Sequence, residues 1–475
     1  MSLLDPPTPM GNGKPDFKCW HDYAAPEKDR ISPHLFETGD DLGPVEDFRV
    51  PAGNYLAREQ HEREREHLWG TVWQMACRLN DIPNVGDYLE YEIGDRSLII
   101  VRDSETSVKA LKNACRHRAT AMISGKGNTS CFTCPFHGWA YKLDGSLEHV
   151  PAGWDFPQFD GSGLREVRCE TYNSNVYVNL DDNAAPLIDH IGATMHRNFE
   201  AYPDHRMWKS WHFGIVVESN WKIMAEAFFE AYHVPWTHPA YAPGSGDVQG
   251  RIDVFGFHHR LISMALIPSF TSGWESTEQE IFDCVMQAAG GFVQIPDGQD
   301  PDSLPQMTLP DGVTARRFMA DTIRGNWGGQ GLDLSGVSET ELVDLFSNLI
   351  FPNFVSFVGP GGHVTYRFRP NGDDHNSMIF DIANLVPVPG DGPLPPDVPM
   401  TMIPRGTLMR DHELAQKVLG QTTLIVDEDV SNSARIQKGL KVSEEIVVGE
   451  ELEPNIVAFH RNIERWMTGD RRQSR

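Results

Sequence analysis

The sequence predicts an α+β protein: a small all-β unit followed by a larger domain that combines a sizeable sheet with helices. Three observations carry this. Between residue 73 and about 165, short apolar or alternating runs such as IPNVGDYLEYEIGD and RSLIIVRD are separated by Gly-Asp turns. Beyond about 170 the strand patterns lengthen, and helical periodicity interrupts them at 221–233, at 411–420 and around 427–440. The 475 residues, 40% hydrophobic and 10% aromatic, suffice for two or three domains with real cores.

The elements follow in order. Residues 1–50, rich in Pro, Gly and Asp, read as an irregular arm with little core of its own. Residues 54–72 (YLAREQHEREREHLWGTVW) alternate Glu with Arg and read as a short charged helix with a solvated face. The β unit comes next, with DGSL at 144–147 as a further hairpin turn. SNVYVNL, WHFGIVVE, FVSFVGPGGHVTYRFRP and SMIFDIANLVPVP supply the later strands. The Pro/Asp/Gly-rich stretch 296–312 and GNWGGQGLDLSG at 325–336 read as long exposed loops, of the kind that form lids or entrances.

Composition narrows the function. Sixty-seven acidic against 41 basic residues give a net charge of −26, which repels phosphate backbones and argues against nucleic-acid binding. No apolar run reaches the roughly 18–20 residues of a membrane span. The opening MSLLDPPTPMGNGKPDF has no secretory pattern, so a cytoplasmic location is expected. Seven cysteines, odd in number and sparse, do not make a disulfide framework. Cys19, Cys77, Cys169 and Cys284 read as thiols without a role. Cys115, Cys131 and Cys134 crowd together beside His117 and His137, which points to metal.

Cys115-x-His117 and Cys134-x-x-His137 are two short loops, each offering a thiolate and an imidazole. Such a set can hold two irons asymmetrically, sulfur on one and nitrogen on the other, as in a Rieske [2Fe–2S] centre. Cys131-x-x-Cys134 with Cys115 and His117 would alternatively make a structural zinc site. The run CRHR…CPFHGWAYKLDGSL closely resembles the Rieske domain of ring-hydroxylating oxygenases. The resemblance makes Cys115, His117, Cys134 and His137 the ligands and Cys131 a bystander. Ala119 departs from the family's usual Gly. Thr120 and Phe136 stand where respiratory Rieske proteins have their bridging cysteines, which puts the chain on the low-potential oxygenase side.

A second cluster lies in NWKIMAEAFFEAYHVPWTHPAY. On a continuous helix Glu226, Glu230 and His233 share a face; Pro235 then breaks the helix and His238 follows. Two histidines and one carboxylate with open positions form the facial triad of non-haem Fe(II) oxygenases. The run resembles the catalytic motif of the same family, which implies His233 and His238 as iron ligands and Asn220 and Glu230 as catalytic. LIVDEDVSNSARIQKGL (424–440) resembles the family's late helix, and counting back from Gln437 gives Asp429 as the third ligand. Asp427 and Glu428 are rivals, and all three would also suit a helix N-terminus. Glu230 stands where the family usually has Asp; the resemblance implies that it connects His137 of one subunit to His233 of its neighbour. Ala227, Phe228, Phe229, Trp236 and Leu419 are candidates for the substrate pocket, and His258 or His259 is expected to be structural.

The resemblance covers residues from about 50 to 440. It implies an arm over 1–50 that packs on the catalytic domain, a Rieske domain over 51–168 and a catalytic domain over 169–475, the last an antiparallel sheet covered by helices in a helix-grip, START-like arrangement. It implies a [2Fe–2S] cluster, one mononuclear Fe(II), a ferredoxin or flavin reductase as electron donor, O2, a small organic substrate, and a homotrimer with or without β subunits. Hydroxylation of an aromatic or alicyclic skeleton is the expected reaction, with oxidative O- or N-demethylation as alternative. A Rieske electron carrier without oxygenase activity is the reading from another class.

Overall fold

The computed structural model describes residues 17–43, 45, 48–202, 204–273, 275–289, 307–396 and 398–471. A seven-stranded antiparallel sheet runs in the order Gln74–Arg78, Asn175–Asn179, Glu166–Tyr172, Ser107–Lys112, Arg96–Ser104, Asp87–Ile93, Lys126–Asn128. A small three-stranded sheet, Phe132–Thr133, Ala140–Tyr141 and Leu147–His149, stands on it. The unbroken apolar run Leu98–Val101 follows from a strand buried on both faces. Leu98 and Ile100 enter the main core of the molecule, while Ile99 and Val101 pack with Phe132, Trp139 and Tyr141 beneath the cysteine loops. Strands Glu166–Tyr172 and Asn175–Asn179 hydrogen-bond into this first sheet, so the unit continues to residue 179 and not to the expected 168.

The larger sheet has eight strands: Ser245–Phe255, His258–Ala265, Leu345–Ile350, Phe354–Val358, His363–Asn371, Asp374–Pro387, Met207–Val217 and Thr401–Ile403. All neighbours are antiparallel except the last pair. Alternation decides what each face meets. Tyr366, Phe368, Met378, Phe380 and Ile382 share a core with Trp221, Ile223 and Met224 of the helix Trp221–Ala227 and with the C-terminal helix Pro454–Met467. Arg367 and Arg369, pointing the other way, reach Met75, Ala76 and Glu92 main-chain oxygens in the first unit.

The N-terminal arm packs on the larger sheet, Trp20, Ile31 and Leu35 lying with Ile262, Phe346 and Phe354. Two sequence readings need correction. Residues 53–68 form helices Gly53–Leu56 and Arg58–Arg63 and a π-turn, but Glu64 is not solvated. It is 1% exposed and bonds Lys222 Nζ (2.6 Å) and Trp221 Nε1 (2.9 Å). The glycine-rich stretch from 325 is helical to 329, as the end of Ala315–Gly329, because Trp327 buries against Leu334 and Val386. The other expected loop, 296–312, lies outside the described residues up to 306. No helix among the described residues is long and apolar enough to cross a membrane.

Candidate metal centres

The two cysteine loops are built alike. The N–H of Ala119 donates to Cys115 O (2.9 Å), and that of Gly138 donates to Cys134 O (3.0 Å). Each loop turns through a left-handed residue at that fourth position, Ala119 with φ +58° and Gly138 with φ +73°. The conformation explains why Gly is usual there, and Ala119 carries strain that Gly138 does not. Cys115 and Cys134 are 4% and 3% exposed. Burial opposes the Cys134 thiolate, but N–H groups of Phe136 and His137 and the nearby Cys115 outweigh it and hold the thiol below its ordinary range. The His117 ring stacks on Trp139 (5.1 Å, 6°) and lies 4.7 Å from the ring of His137.

This donor set fits a two-iron cluster better than one zinc. A single ion needs all its ligand atoms around one point. Among the described residues only His233, His238 and Asp429 form a group of three or more such atoms within 4.8 Å of one another. His117 Nδ1 is buried without a hydrogen-bond partner, which suits a metal ligand. Cys131 turns away, its sulfur 3.4 Å from Thr133 Oγ1.

The second centre departs from the continuous helix that the sequence suggests. The helix Trp221–Ala227 ends six residues before His233, and Asn455 of the C-terminal helix holds the Phe229 carbonyl in the turn that follows. Glu226, Glu230 and His233 therefore do not share a helix face. Pro235 breaks nothing; it sits in the first turn of a short new helix, Val234–Thr237, and His238 follows. Asp429 comes from the long helix Thr422–Leu440. Its Oδ1 lies 3.0 Å from His238 Nε2 and 3.7 Å from His233 Nε2. The far nitrogens meet carboxylates: His233 Nδ1 is 2.6 Å from Glu230 Oε1, and His238 Nδ1 is 2.8 Å from Glu428 Oε2. Burial would lower both histidine pKa values, but Glu230 at His233, and Asp429 with Glu428 at His238, outweigh it; His238 is raised to about 9. The donor set of two imidazoles and one carboxylate fits a divalent iron.

The remaining candidates separate. Asn220 caps its helix: its oxygen accepts from Lys222 N (3.1 Å) and its Nδ2 donates to Tyr55 O (2.9 Å). Phe229 is fully buried against His259 and Phe459, Leu419 is core at 1% exposure, and Trp236 is 55% exposed. Ala227 and Phe228 are half-buried, with Phe228 packed on Tyr366, Phe368 and Phe380. His258 is structural, bonding His190 O and Phe351 N. The sequence reading missed the contact of Glu428 with His238. It also missed a buried trio: Glu226 accepts from Tyr55 Oη (3.0 Å) and pairs with His460 Nε2 (2.8 Å).

Residues 72–160 match the model of the Rieske [2Fe-2S] domain, and residues 199–469 that of the ring hydroxylating alpha subunit, catalytic domain. The chain belongs to the ring-hydroxylating α-subunit family. Membership implies a Rieske cluster and a mononuclear iron. This α subunit is 31% identical over 203 residues to the carnitine monooxygenase oxygenase subunit of Escherichia coli, covering 42% of the chain and 54% of that protein. It is 34% identical over 206 residues to the anthranilate 1,2-dioxygenase large subunit of Acinetobacter baylyi, 41% of the chain and 43% of that protein. The matches thus span about half the length of these relatives. A quaternary ammonium Rieske monooxygenase structure shares its fold at TM-score 0.63 and 16% identity, over 92% of this chain and 99% of that one. Naphthalene 1,2-dioxygenase with bound indole does so at TM-score 0.60 and 18% identity, over 89% and 92%.

Proposed function

We propose that this α subunit is the terminal oxygenase of a multicomponent system, taking electrons from a ferredoxin or flavin reductase and using O2 to hydroxylate an aromatic or alicyclic substrate. One observation carries the reading: a two-Cys, two-His loop pair and a separate His233/His238/Asp429 triad occur in one chain. Cys115, His117, Cys134 and His137 hold the cluster, and the triad holds the iron. When bound, the cluster supplies single electrons and the iron a centre with open positions for O2. Glu230 accepts the Nδ1 proton of His233, leaving Nε2 free to ligate. Phe228, beside the turn to Glu230, is half-buried and is the side chain of its aromatic cluster that an apolar substrate can reach, with Tyr366 and Phe380 behind it in the core.

A second reading, oxidative demethylation, draws on the likeness to the carnitine monooxygenase oxygenase subunit. Electron transfer is completed in a homotrimer, where Glu230 meets the partner subunit's His137. Two exposed apolar surfaces support this. Phe136 (54%) and Trp154 (84%) lie on the cluster unit, and Tyr232 (46%) and Trp236 (55%) flank His233 in the chain.

Metal analysis with a substrate panel tests the function. The purified protein is expected to hold two cluster irons plus one further iron, with the absorption and rhombic EPR of a Rieske centre. His233→Ala should keep the cluster signals and lose both the further iron and turnover of aromatic and methoxylated compounds with a surrogate reductase. A colourless, zinc-loaded protein, or turnover that survives His233→Ala, would overturn the proposal.

A further inference from the structure

We infer that Glu428 is a positioning residue for the mononuclear metal, fixing His238 so that only Nε2 is offered to the ion. The inference rests on the reading that His233, His238 and Asp429 hold that ion.

Three consecutive acids on one helix point in three directions, because each residue advances about 100°. Asp427 is 1% exposed and accepts from Met409 N (2.7 Å), Arg410 N (3.1 Å) and Arg410 Nε (2.9 Å), so it pins a neighbouring turn. Asp429 faces both Nε2 atoms. Glu428 reaches around the imidazole to its other side, Oε2 at 2.8 Å from Nδ1. A metal bound at Nε2 requires the proton to sit on Nδ1, and that proton needs an acceptor. Glu428 is the acceptor. It is not a rival ligand, because the two ring nitrogens point away from each other and a carboxylate at Nδ1 lies outside the triad.

His233 has the corresponding partner in Glu230, but the two arrangements differ. Glu230 is three residues away in the same turn and bonds both Nδ1 (2.6 Å) and the backbone N–H (2.9 Å) of His233. Glu428 comes from another element, 190 residues on, and ties the long helix to the turn that carries His238. Asn432, one helical turn later, bonds Thr237 Oγ1 (2.9 Å) and completes the attachment. The backbone of His238 is held by its N–H to Val234 O (2.8 Å) and by its carbonyl, which accepts from Tyr241 N (2.8 Å); neither contact sets which ring nitrogen carries the proton.

The test uses the cluster-loaded enzyme with the mononuclear iron removed by mild chelation, titrated with Co2+ alone. Glu428→Ala should weaken Co2+ binding by roughly 10- to 100-fold, the usual cost of losing such a partner. Glu428→Gln, which keeps the shape and an acceptor but not the charge, should weaken it by less. In both variants the Rieske absorption stays as in the wild type, while the nitrosyl EPR signal of the Fe(II)-reloaded site changes rhombicity. Wild-type Co2+ affinity and nitrosyl signal in both variants would overturn the inference. So would a fall in melting temperature with affinity unchanged, which is the mark of a purely structural carboxylate. Should Glu428→Ala not fold, Glu428→Gln decides alone. Co2+ binding at wild-type strength in His233→Ala would instead sink the assignment of the triad.

Discussion

Asp381 offers the clearest test of how the two units are joined. It is 2% exposed in the strand Asp374–Pro387. Its Oδ2 accepts from Arg369 Nε (2.9 Å) and pairs with Arg367 Nη2 (3.0 Å). Both arginines continue to main-chain oxygens of the cluster unit, so the carboxylate sits at the root of the junction. Burial alone would raise its pKa; Arg367 and Arg369 outweigh that and hold it at about 2, against 3.8 for the free residue. A difference of just under two units is worth about 2.5 kcal/mol. Asp381→Asn also leaves two guanidinium groups facing each other without a counter-charge, so the whole loss should be about 3–5 kcal/mol. Urea unfolding of the cluster-loaded protein at pH 7.5 measures it. The depressed pKa fixes the sign: the contribution is complete above pH 3.8 and is lost as pH falls through about 2. The gap between wild type and variant should therefore stay constant from pH 8 down to 5. His212, 3.9 Å away, does not disturb that window, since burial, Lys209 and Arg367 drive its pKa down to about 3 against the pull of Asp381. A loss below about 1 kcal/mol, or a gap that closes between pH 8 and 5, would refute the reasoning.

Four further outcomes follow from the geometry. Cys131→Ser should leave the visible absorption of the cluster intact, whereas Cys134→Ser should abolish it. Ala119→Gly should raise stability by about 0.5–1 kcal/mol in thermal unfolding, because φ +58° strains alanine and not glycine. Asp427→Ala should cost about 2–3 kcal/mol through three lost charge-assisted bonds yet keep the mononuclear iron, while its neighbour change Asp429→Ala should lose the iron, as metal analysis will read. Replacing both Phe136 and Trp154 by Ser should shift sedimentation toward the monomer with the cluster absorption unchanged.

What the sequence made legible was short-range. Cys115 with His117, and Cys134 with His137, sit in loops closed by their own backbone, so their spacing survives into the structure. Asp429 was reachable only through the likeness of the late helix, since nothing local relates it to histidines some 190 residues earlier. Long-range contacts account for the misreadings. MAEAFFEAYH has good helical propensity, but the chain turns after Ala227 and Asn455 secures the Phe229 carbonyl there. Glu64 and Glu226 look like solvated charges until Lys222, and Tyr55 with His460, arrive from distant elements to pair them. Gly325, Gly328 and Gly329 would argue for a loop, but the burial of Trp327 on the same turn outweighs their propensity.

Both centres show one division of labour. The cysteine and histidine ligands stand on turns, where a chain can bring side chains from nearby residues to one point, but a turn alone does not fix a ring's rotation. In each case a partner from another segment supplies the fixing contact: Trp139, just past the second cysteine loop, stacks on His117 of the first, and Glu428 of the long helix holds His238. The turn that carries Glu230 and His233 is secured in turn by Asn455, and the helix before it by His460 through Glu226. Both anchors lie on Pro454–Met467, beyond every ligand in the chain. The mononuclear site is therefore complete only once the last helix has packed. Its geometry depends on residues that make no contact with the metal, which is why a motif can name the ligands without describing the site.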